Sequence, residues 1–185
     1  MRRLIASEWM TLDAVFDADT MQEWFSPFDS VAKNEYIRES ITGAGALLMG
    51  RVTYEMLAAY WPQELNDANG PAGRINSMEK FVVSSQLEKA GWNNSRIISK
   101  DIIGEIKKLK QQKGNEIQIP GSAALVQLLM KENLIDEFRF LIHPVIMGSG
   151  KRFFKDGMKT AGLKLVKTQA IDKGVVLLCY QSENT

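Results

Sequence analysis

The sequence predicts an α/β fold in three layers (α-β-α), with a mainly parallel central sheet and an antiparallel hairpin at its C-terminal edge. Short apolar runs such as "GALLMG" and "KFVV" are typical of buried strands. Amphipathic segments such as "DIIGEIKKLKQQ" lie between them and are typical of surface helices. The last two apolar runs meet at Asp172-Lys173-Gly174, which is a hairpin signal. The length of 185 residues suffices for a single domain, residues 1–185, with a full core.

The first half of the chain alternates between predicted strands and helices. The elements are, in order, a strand in "RRLIAS", a helix through "DSVAKNEYIRESI", a strand in "GALLMG" and a helix through "RVTYEMLAAYW". Asp29 or Ser30 is expected to cap the first helix, because short polar side chains accept hydrogen bonds from the free amides there. Residues 63–79 hold Gly70 and Pro71 and are predicted to form a long loop, with or without a terminal turn of helix.

The second half continues the alternation and ends in strands. The elements are strands in "KFVVSSQL" and "SRIIS", a helix through "DIIGEIKKLKQQKG", a strand in "EIQIPG", a helix over residues 122–133, and strands in "EFRFLIHPVI", "LKLVKTQAI" and "GVVLLCYQ". Leu125, Leu128 and Leu129 are expected to face inward from the helix over 122–133. Ligands of such sheets bind outside the carboxyl ends of the strands, so the residues after each buried strand form the candidate site.

The charge balance and the hydropathy exclude several classes of partner. The chain has 23 basic and 22 acidic residues, so its net charge of +1 gives no general attraction to nucleic acid or to an anionic membrane. No stretch approaches the roughly 18 uncharged apolar residues of a membrane span. Glu8 and Asp13 interrupt the apolar region that a signal peptide needs. A cytoplasmic location without a nucleic-acid or membrane partner is therefore predicted.

The chain has a single cysteine, Cys179, and a single histidine, His143. One cysteine excludes an internal disulfide, and these two residues cannot form a zinc site of the usual Cys/His type, so no metal is predicted. No G-x-S-x-G motif is present to carry a serine nucleophile. Cys179 lies in the apolar segment "VVLLCYQ", which favours a buried thiol over a nucleophile. Chemistry in which a cofactor carries the reactive atom remains open.

Three predicted strand ends carry groups that bind anions. Gly50 allows close backbone approach and is followed by Arg51, whose guanidinium fork suits a phosphate. Ser84 and Ser85 follow the next strand with two hydroxyls. Residues 120–124, "PGSAA", present the amides of a helix N-terminus beside small side chains. Each feature alone is also explained by tight packing or turn formation, but together they favour a phosphorylated ligand.

The same segments carry a family resemblance. "LLMGRVTYE", "KFVVSSQL", "IPGSAALVQLLMKENLIDEFRFLIHPVIMGSGKRFF" and the closing strands resemble the dihydrofolate reductase-like superfamily. Within it they are most similar to the reductase domain of the bifunctional riboflavin-biosynthesis deaminase–reductase and its stand-alone homologues. The resemblance covers nearly the whole chain and implies a dihydrofolate reductase-like fold, NADP(H) as the cofactor and a homodimer. The zinc signature of the deaminase half, H-x-E with P-C-x-x-C, is missing.

The resemblance also implies where the cofactor binds. In such proteins the arginine and the serine at the next strand end bind the 2′-phosphoribose, and the later glycine turn lies along the pyrophosphate. Neither the turn at Arg51 nor the turn at Ser84 carries an acidic residue that would favour a free 2′-hydroxyl. The predicted cofactor-binding residues are Gly50, Arg51, Thr53, Ser84, Ser85, Gly121, Ser122, Ala123, Ala124 and Leu125.

Candidate proton donors and substrate contacts come from the resemblance and from residue chemistry. Dihydrofolate reductases use a carboxylate on the first helix, which implies Glu35 here, and Asp13 in the loop after the first strand is a second candidate. The plainer interpretations are a solvated glutamate and a turn-forming aspartate. The substrate-binding candidates are Trp24 as a stacking ring, His143 as a donor, Gly148 in a glycine turn and Lys151 as a phosphate partner. Their alternatives are a core anchor, a structural histidine and solvated turn residues.

The predicted function is that of an NADPH-dependent reductase that transfers a hydride to a pteridine- or aminopyrimidine-like heterocycle. The resemblance to 5-amino-6-(5-phosphoribosylamino)uracil reductase implies this class of substrate. Two alternatives stay open, namely dihydrofolate reductase proper and a non-catalytic NADP-binding protein. The carboxylate motif of dihydrofolate reductases has no match around Glu35, which counts against dihydrofolate reductase proper.

Overall fold

The computed structural model describes residues 1–64, 70–158 and 162–183. Its strands are β1 (Leu4–Thr11), β2 (Ala46–Gly50), β3 (Glu79–Val83), β4 (Ser95–Ile98), β5 (Ile117–Ile119), β6 (Glu137–His143), β7 (Leu163–Ala170) and β8 (Val176–Ser182). They form one sheet of 8 strands in the order β4-β3-β2-β5-β1-β6-β8-β7. Strand β8 runs antiparallel to β6 and β7, and the pairings among β1 to β6 are parallel. The predicted fold class, with its antiparallel edge, is therefore confirmed.

Helices cover both faces of this sheet. They are α1 (Met21–Trp24), α2 (Val31–Gly43), α3 (Arg51–Tyr60), α4 (Pro71–Ser77), α5 (Ile102–Gln111) and α6 (Ala123–Lys131). Helices α5 and α6 pack on the face that carries Leu4, Ala6 and Met10 of β1. Helices α3 and α4 pack on the opposite face of β2 and β3, and α2 packs beside them against β6 and β8. Because side chains alternate between the two faces of a strand, one set of strands serves both cores.

Two sequence predictions need correction. Residues 71–77 of the predicted long loop form α4, because Pro71 at the first helical position is pre-set for helix and Ile75 buries its side chain in the core. Residues 65–69 of that loop lie outside the described residues. In α6, Leu128 is only half-buried and Val126 fills the core in its place. The predicted cap is confirmed, since the Ser30 hydroxyl accepts a hydrogen bond from the Lys33 amide at 3.1 Å.

The order of the strands creates a crevice between β1 and β5. Strand β1 leads through α2 to β2, on one side in the sheet, whereas β5 leads through α6 to β6, on the other side. The two crossing helices therefore leave neighbouring strands in opposite directions, and ligands of open α/β sheets bind at such a switch point. The pairing of β1 with β5 ends at Ala6 and Ile119, while β1 continues to Thr11 beside β6.

No helix within residues 1–64, 70–158 and 162–183 is long and apolar enough to cross a lipid bilayer.

Candidate active site

The three strand ends predicted from the sequence lie side by side. Strands β3, β2 and β5 are consecutive and parallel in the sheet, so their carboxyl ends share one edge. Gly50 is paired with Val83, which places the Ser84 turn directly beside the start of α3. The turn at Gly121 follows β5 on the other side of β2. The structure thus brings together Gly50, Ser84 and Gly121, which are far apart in the chain.

The turns after β2 and β5 touch through their backbones. The amide of Gly50 donates a 3.2 Å hydrogen bond to the carbonyl of Gly121. A Cβ atom on Gly50 would lie 2.5 Å from Oγ of Ser122, which is closer than real Cβ atoms approach. Gly121 has φ of +121°, and a Cβ atom there would lie 2.9 Å from Oγ1 of Thr53. The peptide bond between Gly121 and Ser122 is cis. The space that each Cβ atom would need is taken by the Ser122 and Thr53 side chains, so glycine lets the two turns pack closely against each other and form one surface.

Two helices begin at this surface. Helix α3 follows Gly50 and helix α6 follows Ser122, and neither cap residue accepts a side-chain hydrogen bond from the helix it precedes. The first amides of a helix have no partner within it, and they carry the positive end of the helix dipole. Ala123 and Ala124 add little bulk at the start of α6, whereas Leu125 is buried and its amide already donates to the Ser122 carbonyl at 3.0 Å. This arrangement suits the phosphate groups of a ligand.

Arg51 and the two serines flank this surface. The Arg51 guanidinium is partly exposed and pairs with the Glu55 carboxylate at 2.8 Å in the same helix. Such surface pairs are weak, so a phosphate can replace Glu55 as the partner. The Ser84 hydroxyl accepts hydrogen bonds from the amides of Gln86 and Leu87 at 3.1 and 2.9 Å, which leaves its proton to donate. Ser85 is exposed beside it.

Of the predicted proton donors, Glu35 is not brought to these turns. It lies exposed on α2, where its carboxylate pairs with Arg38 at 3.2 Å.

Asp13 connects two loops beside the crevice. Its carboxylate accepts hydrogen bonds from the Thr11 hydroxyl at 2.6 Å and from the amides of Met147 and Gly148 at 3.2 and 2.9 Å. The Thr11 hydrogen bond, with these amides, lowers the pKa of Asp13 to about 2. Asp13 is therefore ionised at neutral pH and fixes the loop after β1 to the loop after β6. This is the geometry of a loop-forming aspartate rather than of an acid with a proton to give.

Trp24 and His143 lie together in the interior. Their ring centroids are 5.3 Å apart, and the Trp24 indole donates to the carbonyl of Asp17 at 3.3 Å. His143 has no exposed surface, and its Nδ1 lies 3.3 Å from the carbonyl of Met10. Burial, together with the nearby charge of Lys33, lowers the pKa of His143 to about 4, so its ring is neutral. The structure places neither ring at a surface open to substrate.

Gly148 and Lys151 occupy the exposed loop after β6. The Lys151 ammonium pairs with the carboxylates of Asp17 and Asp19 at 3.1 and 3.0 Å. The Gly148 amide donates to Asp13, as described above. Both residues therefore lie on the rim of the crevice, held by contacts between the loops.

The sequence did not single out Glu8, which is a buried carboxyl group of β1. Glu8 lies within β1 and is 1% exposed, and neither of its carboxyl oxygens has a hydrogen-bond partner among the described residues. Burial raises the pKa of its carboxyl well above the ordinary value. The signal in the sequence is a glutamate at the centre of an otherwise strand-like segment, "LIASEWM".

Metal ligands do not cluster in the parts of the chain that the structure describes. No group of three or more His, Cys, Asp or Glu side chains there is arranged to hold a metal ion. Cys179 is buried, and its burial raises the pKa of the thiol.

The sheet order, the antiparallel edge and the crevice between β1 and β5 define a dihydrofolate reductase-like α/β protein. The chain belongs to the RibD C-terminal domain family, whose model matches residues 2–177. Its relative YyaP from Bacillus subtilis (strain 168) is 29% identical over 181 residues, which cover 97% of this chain and 94% of YyaP. The family and the fold support a reductase of this family.

Solved structures show the same fold. A Shewanella sp. PV-4 protein assigned to riboflavin biosynthesis superposes with a TM-score of 0.74 at 19% identity, over 99% of both chains. Dihydrofolate reductase from Enterococcus faecalis, solved in complex with NADP(H), superposes with a TM-score of 0.66 at 13% identity, over 98% of this chain and 96% of that one.

Proposed function

We propose that this protein is an NADPH-dependent reductase of a small pteridine- or aminopyrimidine-like heterocycle. The observation that carries the proposal is the contact between the turns at Gly50 and Gly121. The contact brings the starts of two helices together in one surface at the carboxyl edge of the sheet, because the glycines leave room for the side chains of Ser122 and Thr53 between the turns. Such a surface fits a pyrophosphate, which needs amide donors and close backbone approach.

Different residues around the glycine turns would bind different parts of the cofactor. The first amides of α6 would hold the pyrophosphate, and the Arg51 guanidinium and the Ser84 hydroxyl would hold the 2′-phosphate. When bound, the reduced nicotinamide supplies a hydride. The crevice between β1 and β5 then receives the heterocycle, and Phe16, whose ring lies beside Gly121, helps to exclude water. The complex of the Enterococcus dihydrofolate reductase with NADP(H) supports this choice of cofactor.

Two alternatives remain as outcomes of experiment. Dihydrofolate reductase proper is disfavoured because Glu35, the candidate carboxylate of α2, is exposed and paired with Arg38. A non-catalytic NADP-binding protein would bind the cofactor without oxidising it in the presence of dihydrofolate or of the phosphoribosylaminouracil.

A fluorescence titration with NADPH and NADH tests the cofactor site. We expect the wild type to bind NADPH at least about tenfold more tightly than NADH, since a charge-assisted phosphate contact contributes on the order of 1–3 kcal/mol. Arg51→Ala should lose that preference and keep its affinity for NADH. Arg38→Ala is the matched control, because Arg38 is also exposed and also pairs with a glutamate of its own helix. Equal affinity of the wild type for both dinucleotides would contradict the proposal.

We also propose that the protein is a homodimer that assembles through the β7 edge. Almost all of β7 is exposed although it is a strand, and its Leu165 and Val166 are 48% and 43% exposed. An unpaired edge strand with apolar side chains favours association. Light scattering after gel filtration should give the mass of two chains, and Leu165→Lys should shift it toward one chain. A wild-type mass of one chain would exclude the dimer.

A further inference from the structure

We propose that Glu8 is the proton donor of the reductase site, a neutral carboxylic acid at the base of the crevice between β1 and β5. This inference rests on the proposed function, because a proton donor has a role only if a C=N or C=O bond of a substrate is reduced there.

Glu8 lies just beyond the end of the pairing between β1 and β5. The pairing between β1 and β5 ends at Ala6 and Ile119, and Glu8 comes two residues later on the same face of β1. Continued one residue for one, the register places Glu8 level with Gly121, where β5 has already turned toward α6. On its other side Glu8 is paired with Phe140 of β6. Glu8 is thus the carboxyl group located where the sheet opens at its switch point.

The Glu8 carboxyl group differs from another buried carboxyl group of the sheet in its lack of partners among the described residues. Glu137, also buried in the sheet, is bound by Arg3 and Arg139 at 2.6 Å each. Glu8 has neither an ion pair nor a hydrogen bond among the described residues. An unpartnered carboxyl destabilises a folded protein, so its presence calls for a role that the folded chain alone does not supply.

Burial alone shifts the pKa of Glu8, and no charged group of the described residues adds to that shift. The carboxyl group of Glu8 therefore holds its proton to a higher pH than an exposed glutamate does, whereas Asp13 is ionised at neutral pH. Glu8 and Asp13 are the two candidate carboxyl groups of this site. Their different surroundings favour Glu8 as the acid and Asp13 as the residue that anchors the loops.

The reduced dinucleotide, when bound, would supply the hydride and with it two electrons, and would leave in its oxidised form. The substrate carbon would gain the new C–H bond as the π electron pair of its C=N or C=O group moves to the nitrogen or oxygen. The Glu8 O–H bond would break and its proton would form the new N–H or O–H bond, so the substrate would be reduced by two electrons and Glu8 would be left as a carboxylate that takes its next proton from solvent.

Carbon-13 NMR of protein labelled at the glutamate carboxyl carbons tests the role of Glu8 without turnover. The Glu8 signal is the one that Glu8→Gln removes. We expect it to show a protonated carboxyl at pH 7 and to shift when saturating NADP⁺ is added. The signal of the exposed Glu132 at the far end of α6 should not shift with NADP⁺. A Glu8 signal that titrates near the ordinary value of about 4.3, or that ignores bound NADP⁺, would overturn the proposal.

Turnover provides the second readout. For dihydrofolate or the phosphoribosylaminouracil, whichever the wild type reduces, Glu8→Gln should lower kcat at least about 100-fold while the Kd for NADPH stays within about twofold. Glu8→Asp should restore part of the rate, and Glu132→Gln should leave it unchanged. If the wild type does not bind NADPH, the proposed function is wrong, and the inference about Glu8 is wrong with it. If the wild type binds NADPH but the Glu8 NMR signal does not shift with NADP⁺, only the inference about Glu8 is wrong.

Discussion

The amide of Gly50 donates its hydrogen bond to the carbonyl of Gly121, although 70 residues of chain separate the two turns they belong to. This contact joins the carboxyl end of β2 to that of β5 and sets the surface from which α3 and α6 begin. Neither turn has room for a side chain at its glycine.

Gly121→Ala should therefore weaken NADPH binding by at least about tenfold. The added methyl group would lie 2.9 Å from Oγ1 of Thr53, at a residue whose φ of +121° disfavours any Cβ atom. Fluorescence titration measures the effect. Gly43→Ala is the control, since nothing lies within 4 Å of a Cβ atom at that helical position, and the change should leave binding intact. Equal affinities for NADPH in the two variants would contradict the role of the turn.

His143 should make the fold sensitive to mild acid. Its folded pKa of about 4 lies below the ordinary value of about 6.5, so the unfolded chain takes up the proton first. The contribution of the neutral ring is complete above pH 6.5 and is lost as the pH falls toward 4. Relative to His143→Gln, the wild type should lose about 2 kcal/mol of unfolding free energy between pH 6.5 and pH 5, measured by urea titration. Parallel pH profiles for the two proteins would contradict this.

The effect of Glu8 on the pH dependence of the unfolding free energy should be opposite to that of His143. Because its folded pKa is raised, the folded chain keeps a proton that the unfolded chain releases above about pH 4.5. The wild type should therefore lose unfolding free energy relative to Glu8→Gln as the pH rises, by at most about 1.4 kcal/mol per pH unit until the folded pKa is reached. Urea titrations at pH 5, 6, 7 and 8 give the difference. A constant difference would mean that Glu8 is already ionised in the folded protein.

Lys80 should be a structural cation rather than a site residue. Its ammonium has no exposed surface and donates to the carbonyls of Asn76, Met78 and Asn93 at 3.0, 2.9 and 3.1 Å. Lys80→Met should lower the unfolding free energy by about 2–4 kcal/mol, because three carbonyls, among them that of the buried Met78, lose their donor. NADPH affinity should be retained in the folded fraction. Lys107→Met, at an exposed position of α5, should change stability by less than about 0.5 kcal/mol.

Much of the fold could be predicted from the sequence because its signals are local. The buried run "ALLMG", the acidic start and basic end of α5, and the hairpin at Asp172-Lys173-Gly174 each lie within one segment. The segment of α4 was predicted as part of a long loop, with or without a terminal turn of helix, because Gly70 and Pro71 also occur in loops. The burial of Ile75 against the core is what favours a helix in this segment.

The candidate site divides in the same way. The turns at Gly50, Ser84 and Gly121 were predicted as anion-binding groups from their position after apolar runs. Glu8 was not, since a glutamate in a strand is ordinarily solvated on one face. It is buried here because α6 packs on that face of the sheet and β6 pairs with β1 beside Glu8, and both elements come from the distant second half of the chain.

The sequence by itself determined the alternation of strands and helices and the chemical groups at each strand end, since both follow from residues within a few positions of one another. The tertiary structure decided that β5 lies between β2 and β1, and with it which turns meet and which carboxyl group loses contact with water. Those outcomes depend on pairings between segments a hundred residues apart, and the free energy of such packing is not contained in any local pattern.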